Sequence, residues 1–158
     1  MIYSSIEIDF FFLINTNLIE NKITSRTKAI IPVNLYGQSA NYDKIKKISK
    51  KYNLKVIEDC AQSPGVKYNG KPLGSIGDIG VFSLTETKNI TCGEGGLLIC
   101  DSDDIALKTR LIRNHGEGLV DNEWPDEKLV NVIGMNFRMT EFQAAVAIPQ
   151  VEDLYNRN

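Results

Sequence analysis

Two residues in this sequence have types and settings suited to covalent and acid chemistry. Lys88 lies in a polar loop, Thr85 to Asn89, between two apolar runs, Ile79 to Leu84 and Gly96 to Cys100. Both runs read as buried strands. A lysine held between rigid strands can be partly desolvated, which lowers its pKa and frees the amine as a nucleophile. Asp59 ends a third apolar run, Leu54 to Ile57 plus Glu58, and the turn-forming stretch CAQSPG follows it. Singly, each has an ordinary reading: a solvated loop lysine, and a turn residue or helix cap. Together in one sheet they suggest a pyridoxal phosphate site. That cofactor needs a lysine for its Schiff base and an acid beside its pyridine nitrogen, which keeps the ring able to accept electrons. A hydroxyl such as Ser83, or the backbone N–H groups of a turn, would hold the phosphate.

The surrounding elements must place these groups. Lys28 to Val33 reads as a buried strand ending near Pro32, and Gly37 closes the turn after it. Tyr42, Ile45, Ile48 and Tyr52 then recur at helical spacing, with lysines on the other face of a helix from Asn41 to Tyr52. Ile6 to Phe10 is expected as a strand, Asn17 to Lys22 as a short helix, and Asn69-Gly70 as the turn of a small hairpin. Ser102 has the character of an N-cap for a helix to Arg113, with two aspartates in its first turn. Gly116 to Asn131 reads as a long surface loop. Thr140 and Gln143 have capping-box spacing before an alanine-rich helix that Pro149 is expected to break or kink. This alternation of strands and helices predicts an α/β fold with buried, partly parallel strands, whose ligand sits at the strands' carboxyl ends. Asp59, Ser83 and Lys88 all fall at or just past such ends.

Composition narrows the function. The chain has 158 residues, one domain's worth, with 18 basic and 20 acidic residues and a formal charge of −2. That balance points to neither a nucleic-acid partner nor a membrane surface. The three cysteines form no C-x-x-C pair and leave one over, which favours a reduced, cytoplasmic setting. One histidine, His115, excludes a zinc site built on several histidines. The run Phe10 to Ile14 is too short to span a bilayer. The glycines of GSIGDIG do not fit the dinucleotide pattern, because a strand follows where a helix is needed. No segment fits the phosphate-loop pattern of nucleotide hydrolases.

The stretches KAIIPVNLYGQSANYDKI, LKVIEDCAQSPGVKYNGKPLGSIGDIGVFS, TKNITCGEGG, LIRNHGEG and NVIGMNFRMTEFQAA, in this order, resemble the DegT/DnrJ/StrS family of pyridoxal-phosphate-dependent sugar aminotransferases. The resemblance covers nearly the whole chain. It implies that residues 1–158 are part of the cofactor-binding large domain of a fold-type I aminotransferase, with the N-terminal part and the C-terminal small domain missing. It also implies a homodimer with the active site at the subunit interface. Carried onto matching positions, Lys88 resembles the Schiff-base lysine and proton shuttle, and Asp59 the partner of the pyridine nitrogen. Gln62 matches the glutamine near the cofactor's phenolic oxygen, and Ser83 the phosphate-binding serine. Asn136 matches an asparagine that reaches the phosphate of the neighbouring subunit's cofactor. Arg138 and His115 are weaker candidates for the substrate cleft; a structural ion pair and a satisfied structural histidine are their ordinary readings. Glu94 fits the motif without an assigned role.

The implied reaction moves an amino group from glutamate or glutamine to a nucleotide-linked keto-sugar, for amino sugars of surface polysaccharides or secondary metabolites. Family members that remove a sugar hydroxyl carry histidine at the Lys88 position, so Lys88 favours transamination. The chain departs from the family pattern in several places. It lacks the Gly-Thr turn that grips the phosphate and the aromatic residue that stacks on the ring. FFFLI replaces a more polar stretch, Asn34 stands where histidine is common, and Pro149 interrupts a helix. A rival expectation is a non-catalytic remnant that at most associates with a full-length relative.

Overall fold

The structure, a computed structural model, describes residues 5–117 and 133–157. A four-stranded sheet runs through it in the order β1 (Ala29–Ile30), β2 (Lys55–Asp59), β5 (Ile79–Ser83), β6 (Gly96–Ile99). The first two pairings are parallel and the third is antiparallel. A separate two-stranded hairpin, β3 (Lys67–Tyr68) with β4 (Lys71–Pro72), turns through Asn69 and Gly70, both at positive φ as such a tight turn requires. The longer helices are α1 (Tyr42–Tyr52), α2 (Asp103–Arg113) and α3 (Glu141–Glu152), followed by a single turn α4 (Leu154–Arg157).

Helix α1 follows its sequence pattern closely. The Asn41 side chain accepts from the Lys44 amide at 3.1 Å, capping the first turn, and Asn53 at φ 52° ends the helix in the left-handed region. Tyr42, Ile45 and Ile48 are buried against the sheet with Ile30, Leu54, Val56, Leu73 and Ile76. A second, smaller cluster joins Leu84, Ile90 and Ala147, with Cys92, Met139 and Leu154 packed on it. This cluster docks α3 onto the loop between β5 and β6.

Several expectations need correction. Residues 6–10 form no strand; only Ile8 and Ile14 bridge across a turn. The Asp9 carboxylate accepts the amides of Phe11 at 2.9 Å and Leu13 at 3.1 Å, and Phe12 sits at φ 63°, so the chain reverses instead of extending. The helix expected at Asn17 to Lys22 shrinks to a 3-10 turn at Glu20–Lys22. Beyond Ile30 the first strand survives only as a bridge from Val33 to Asp59, because Pro32 has no N–H to give. β6 is not buried: Gly96 to Ile99 are all exposed. Pro149 does not break α3. The helix continues, the Asp153 amide bonds the Pro149 carbonyl at 3.2 Å, and the Gln150 side chain donates to the Val146 carbonyl at 2.7 Å. Most of the surface loop expected at Gly116 to Asn131 lies outside the described residues.

Candidate active site

Strand pairing brings three of the expected residues to one end of the sheet. Asp59, the last residue of β2, is paired with Val81 of β5. Ser83 lies two residues further along β5, so Asp59, Val81 and Ser83 share a face. Ser83 pairs with Gly96, and the loop between them carries Lys88 over the same carboxyl edge. Gln62 lies in the turn after β2.

Each of these groups is fixed on one side and open on the other. Asp59 Oδ1 accepts the Ala61 amide at 3.0 Å, which closes the turn after β2. Gln62 Oε1 accepts the Tyr36 amide at 3.2 Å, and the Gln62 carbonyl accepts the Gly37 amide at 3.1 Å. Ser83 Oγ accepts the Thr85 amide at 3.4 Å. Lys88 is half-buried, and its amide bonds the Thr85 carbonyl at 3.0 Å. Among the described residues no hydrogen bond or ion pair takes up the Lys88 ammonium, the second Asp59 oxygen or the Gln62 amide nitrogen. The ensemble therefore offers one carboxylate oxygen as acceptor and an amide, a hydroxyl and an amine as donors. That set suits the groups of pyridoxal phosphate: a ring nitrogen that carries a proton, a phenolic oxygen, a phosphate and an aldehyde.

Glu58 and Asn34 form a layer beneath this site that motif reading missed. Glu58 points to the opposite face of β2 from Asp59 and is fully buried. Its carboxylate accepts the amides of Gly74 at 2.8 Å and of Ile76 and Gly77 at 2.6 Å. The GSIGDIG glycines serve this close packing: a Cβ on Gly80 would lie 2.3 Å from the Gly74 carbonyl oxygen, and one on Gly77 2.7 Å from that of Val56. Asn34, also fully buried, donates to the Tyr42 hydroxyl at 2.7 Å and to Cys60 Sγ at 3.4 Å, and accepts the Ala40 amide at 3.0 Å. Burial pushes the Cys60 thiol up to about 11, partly offset by the Asn34 bond, and raises the Tyr42 hydroxyl too. Both stay protonated at neutral pH and are structural. The only signals for this layer in the sequence were the acid pair Glu58-Asp59 and the departure at Asn34.

His115, Asn136 and Arg138 gather where residues 134–138 lie along the end of α2, and Met139, the next residue, packs on the Leu84, Ile90 and Ala147 cluster at the Lys88 loop. The His115 amide bonds the Met135 carbonyl at 3.1 Å, and Asn114 bridges to Asn136. The Arg138 guanidinium donates to Asn114 Oδ1, so among the described residues its partner is an amide where an ion pair was the ordinary expectation. His115 is exposed, at φ 60°. Asn136 is exposed, with its side-chain oxygen turned back to the Arg138 amide at 3.3 Å. Among the described residues no hydrogen bond joins this group to the Asp59–Lys88 group. Glu94 gains a contact: its carboxylate accepts the Thr85 hydroxyl at 3.3 Å, across the base of the Lys88 loop.

The profile of the DegT/DnrJ/EryC1/StrS aminotransferase family matches residues 4–158. The chain belongs to that family. GDP-perosamine synthase from Caulobacter vibrioides is 43% identical over 141 residues, which is 89% of this chain and 37% of the relative. A UDP-N-acetyl-3-dehydro-alpha-D-glucosamine 3-aminotransferase from Acidithiobacillus ferrooxidans is 41% identical over 139 residues, covering 87% of this chain and 36% of the relative. Among solved structures, Helicobacter pylori PseC, an aminotransferase of pseudaminic acid biosynthesis, superposes with a TM-score of 0.86 at 30% identity, over 96% of this chain and 40% of that one. The expected α/β aminotransferase fold is borne out. The chain spans little more than a third of the length of the curated relatives it matches.

Proposed function

We propose that this chain supplies the cofactor-holding part of a pyridoxal-phosphate-dependent aminotransferase that acts on a nucleotide-linked keto-sugar, with glutamate or glutamine as donor. The observation that carries the reading is the set of open valences at the carboxyl ends of β2 and β5, in a chain of this family. When bound, pyridoxal phosphate supplies an electron sink for the electrons released at the substrate carbon. Asp59 presents its open carboxylate oxygen to the ring nitrogen and keeps a proton there. Gln62, its oxygen held by Tyr36, donates its amide N–H to the phenolic oxygen. Ser83 donates its hydroxyl to the phosphate. Lys88 would be the covalent attachment point, and its amine, once free, would carry the proton to and from the substrate carbon. Its identity as lysine favours amino transfer over removal of a hydroxyl.

Asn136 is assigned to the neighbouring subunit's phosphate in a homodimer. Its exposure supports that assignment. The substrate reading rests on the relatives, two of which bear nucleotide-sugar names. One observation favours the rival of a non-catalytic remnant: β6 leaves apolar side chains exposed on both faces.

The cofactor reading is tested by absorbance titration with pyridoxal phosphate. Ser83→Ala and Gln62→Leu should each weaken binding by about tenfold, as expected for losing one hydrogen bond of roughly 1.5 kcal/mol. Unchanged affinity in both would remove these residues from the site.

A further inference from the structure

Helix α3 meets the Lys88 loop through two glutamines. Gln143 Nε2 donates to the Glu94 carbonyl at 2.7 Å. Its oxygen meanwhile accepts the Thr140 amide at 2.8 Å, completing the capping box. Two turns on, Gln150 makes a reciprocal pair with the backbone of one residue: Oε1 accepts the Thr91 amide at 3.1 Å and Nε2 donates to the Thr91 carbonyl at 2.7 Å. Seven residues apart on a helix, the two side chains share a face. Between the two anchor points Cys92 bonds back to Leu84 at 3.0 Å, and Ile90 is buried against Ala147 of α3. The C-terminal half of the loop is therefore fixed, and Lys88 lies two residues before buried Ile90.

We infer that Gln143 and Gln150 are positioning residues that fix Lys88 over the cofactor site. The inference rests on the reading of Lys88 as the attachment lysine. The chemistry requires a carboxamide at both positions, because each side chain donates and accepts at once. A carboxylate at 150 keeps the bond from the Thr91 amide but turns lone pairs onto the Thr91 and Val146 carbonyls. A protonated carboxyl regains a donor, so Gln150→Glu should be defective at neutral pH and recover on acidification; the facing carbonyls disfavour the charged form, so recovery starts above the ordinary glutamate value of about 4.3 and is complete below it.

The test has two readouts on the same chain. Amide exchange should be about tenfold faster at Lys88 and Cys92 in Gln150→Glu than in the parent at pH 7, and equal in the two below about pH 4, with α1 amides unchanged at both. Reductive trapping with pyridoxal phosphate and borohydride at pH 7 should mark Lys88 about tenfold less in the variant, relative to Lys46, Lys47 and Lys50 on the outer face of α1. Equal trapping at Lys88 in parent and variant overturns the positioning role. Trapping in the parent at lysines other than Lys88 sinks the cofactor reading and the positioning role together, while the exchange difference persists. If α1 also loses protection, the substitution has unfolded the chain. Gln143→Glu, which keeps the Thr91 pair and the cap acceptor, then carries the same comparison, and unchanged Lys88 trapping in it overturns the inference.

Discussion

At the scale of single residues, the site depends on groups that are half engaged. Asp59 is the clearest case, with one oxygen closing its own turn and the other open. An amide at this position can still accept the Ala61 N–H, so Asp59→Asn should fold, but it can no longer hold a proton on a ring nitrogen. Capture of pyridoxal phosphate at Lys88 should therefore survive in Asp59→Asn, while amino transfer by an active assembly containing the chain falls by about a hundredfold or more. Near-normal turnover would reduce Asp59 to a turn residue. These residues were legible from type and position: a lysine in a strand-connecting loop, and an acid and a serine at strand ends. Their open valences were not legible, because they depend on partners such as Tyr36, 26 residues before Gln62 in the chain.

At the scale of elements, β2 works on both faces. On one face Asp59 lies at the proposed cofactor site, and on the other Glu58 anchors the 74–77 loop. Replacing Glu58 with Gln keeps one acceptor oxygen but sets the amide N–H2 against at least one of the three backbone donors in a fully buried position. Thermal or denaturant unfolding should show a loss of about 3 kcal/mol, the scale of a broken buried charged network. A loss under about 0.5 kcal/mol would mean that the loop packs without the carboxylate. Helix α1, the Asn69-Gly70 hairpin, the Ser102 cap and the Thr140 capping box could all be read locally, because each is set by residues within four positions of one another. Other patterns were overridden, two by nearby side chains that bond back to the backbone and one by packing that its own residues do not encode. Residues 6–10 alternate like a strand, yet the chain reverses just beyond them, where the Asp9 side chain takes the Phe11 and Leu13 amides. Pro149 reads as a breaker, yet α3 carries it through, with Gln150 bonding back to Val146. The apolar run at β6 reads as core, but burial depends on what packs over it, which the run itself does not encode.

At the scale of the whole molecule, the described surface carries several strongly exposed apolar side chains. Phe10 is 89% exposed, Phe142 87% and Ile133 94%, and Leu97, Leu98 and Ile99 are exposed along β6. Surface of this extent marks interaction sites or association, and β6 lies at the edge of the described sheet. The 158-residue chain by itself should give no amino transfer from glutamate to nucleotide keto-sugars, and should self-associate in sedimentation. A monodisperse chain turning over at ordinary enzyme rates, on the order of 1–1000 per second, would contradict this. The central claim, that Lys88 is the lysine that takes the cofactor, does not depend on turnover. Incubation of the chain with pyridoxal phosphate, borohydride reduction and peptide mapping tests it directly. A single preferred adduct is expected in the peptide carrying Lys88, lost in Lys88→Ala. Label spread over the exposed α1 lysines, or centred on any other lysine with Lys88 unmodified, would contradict it.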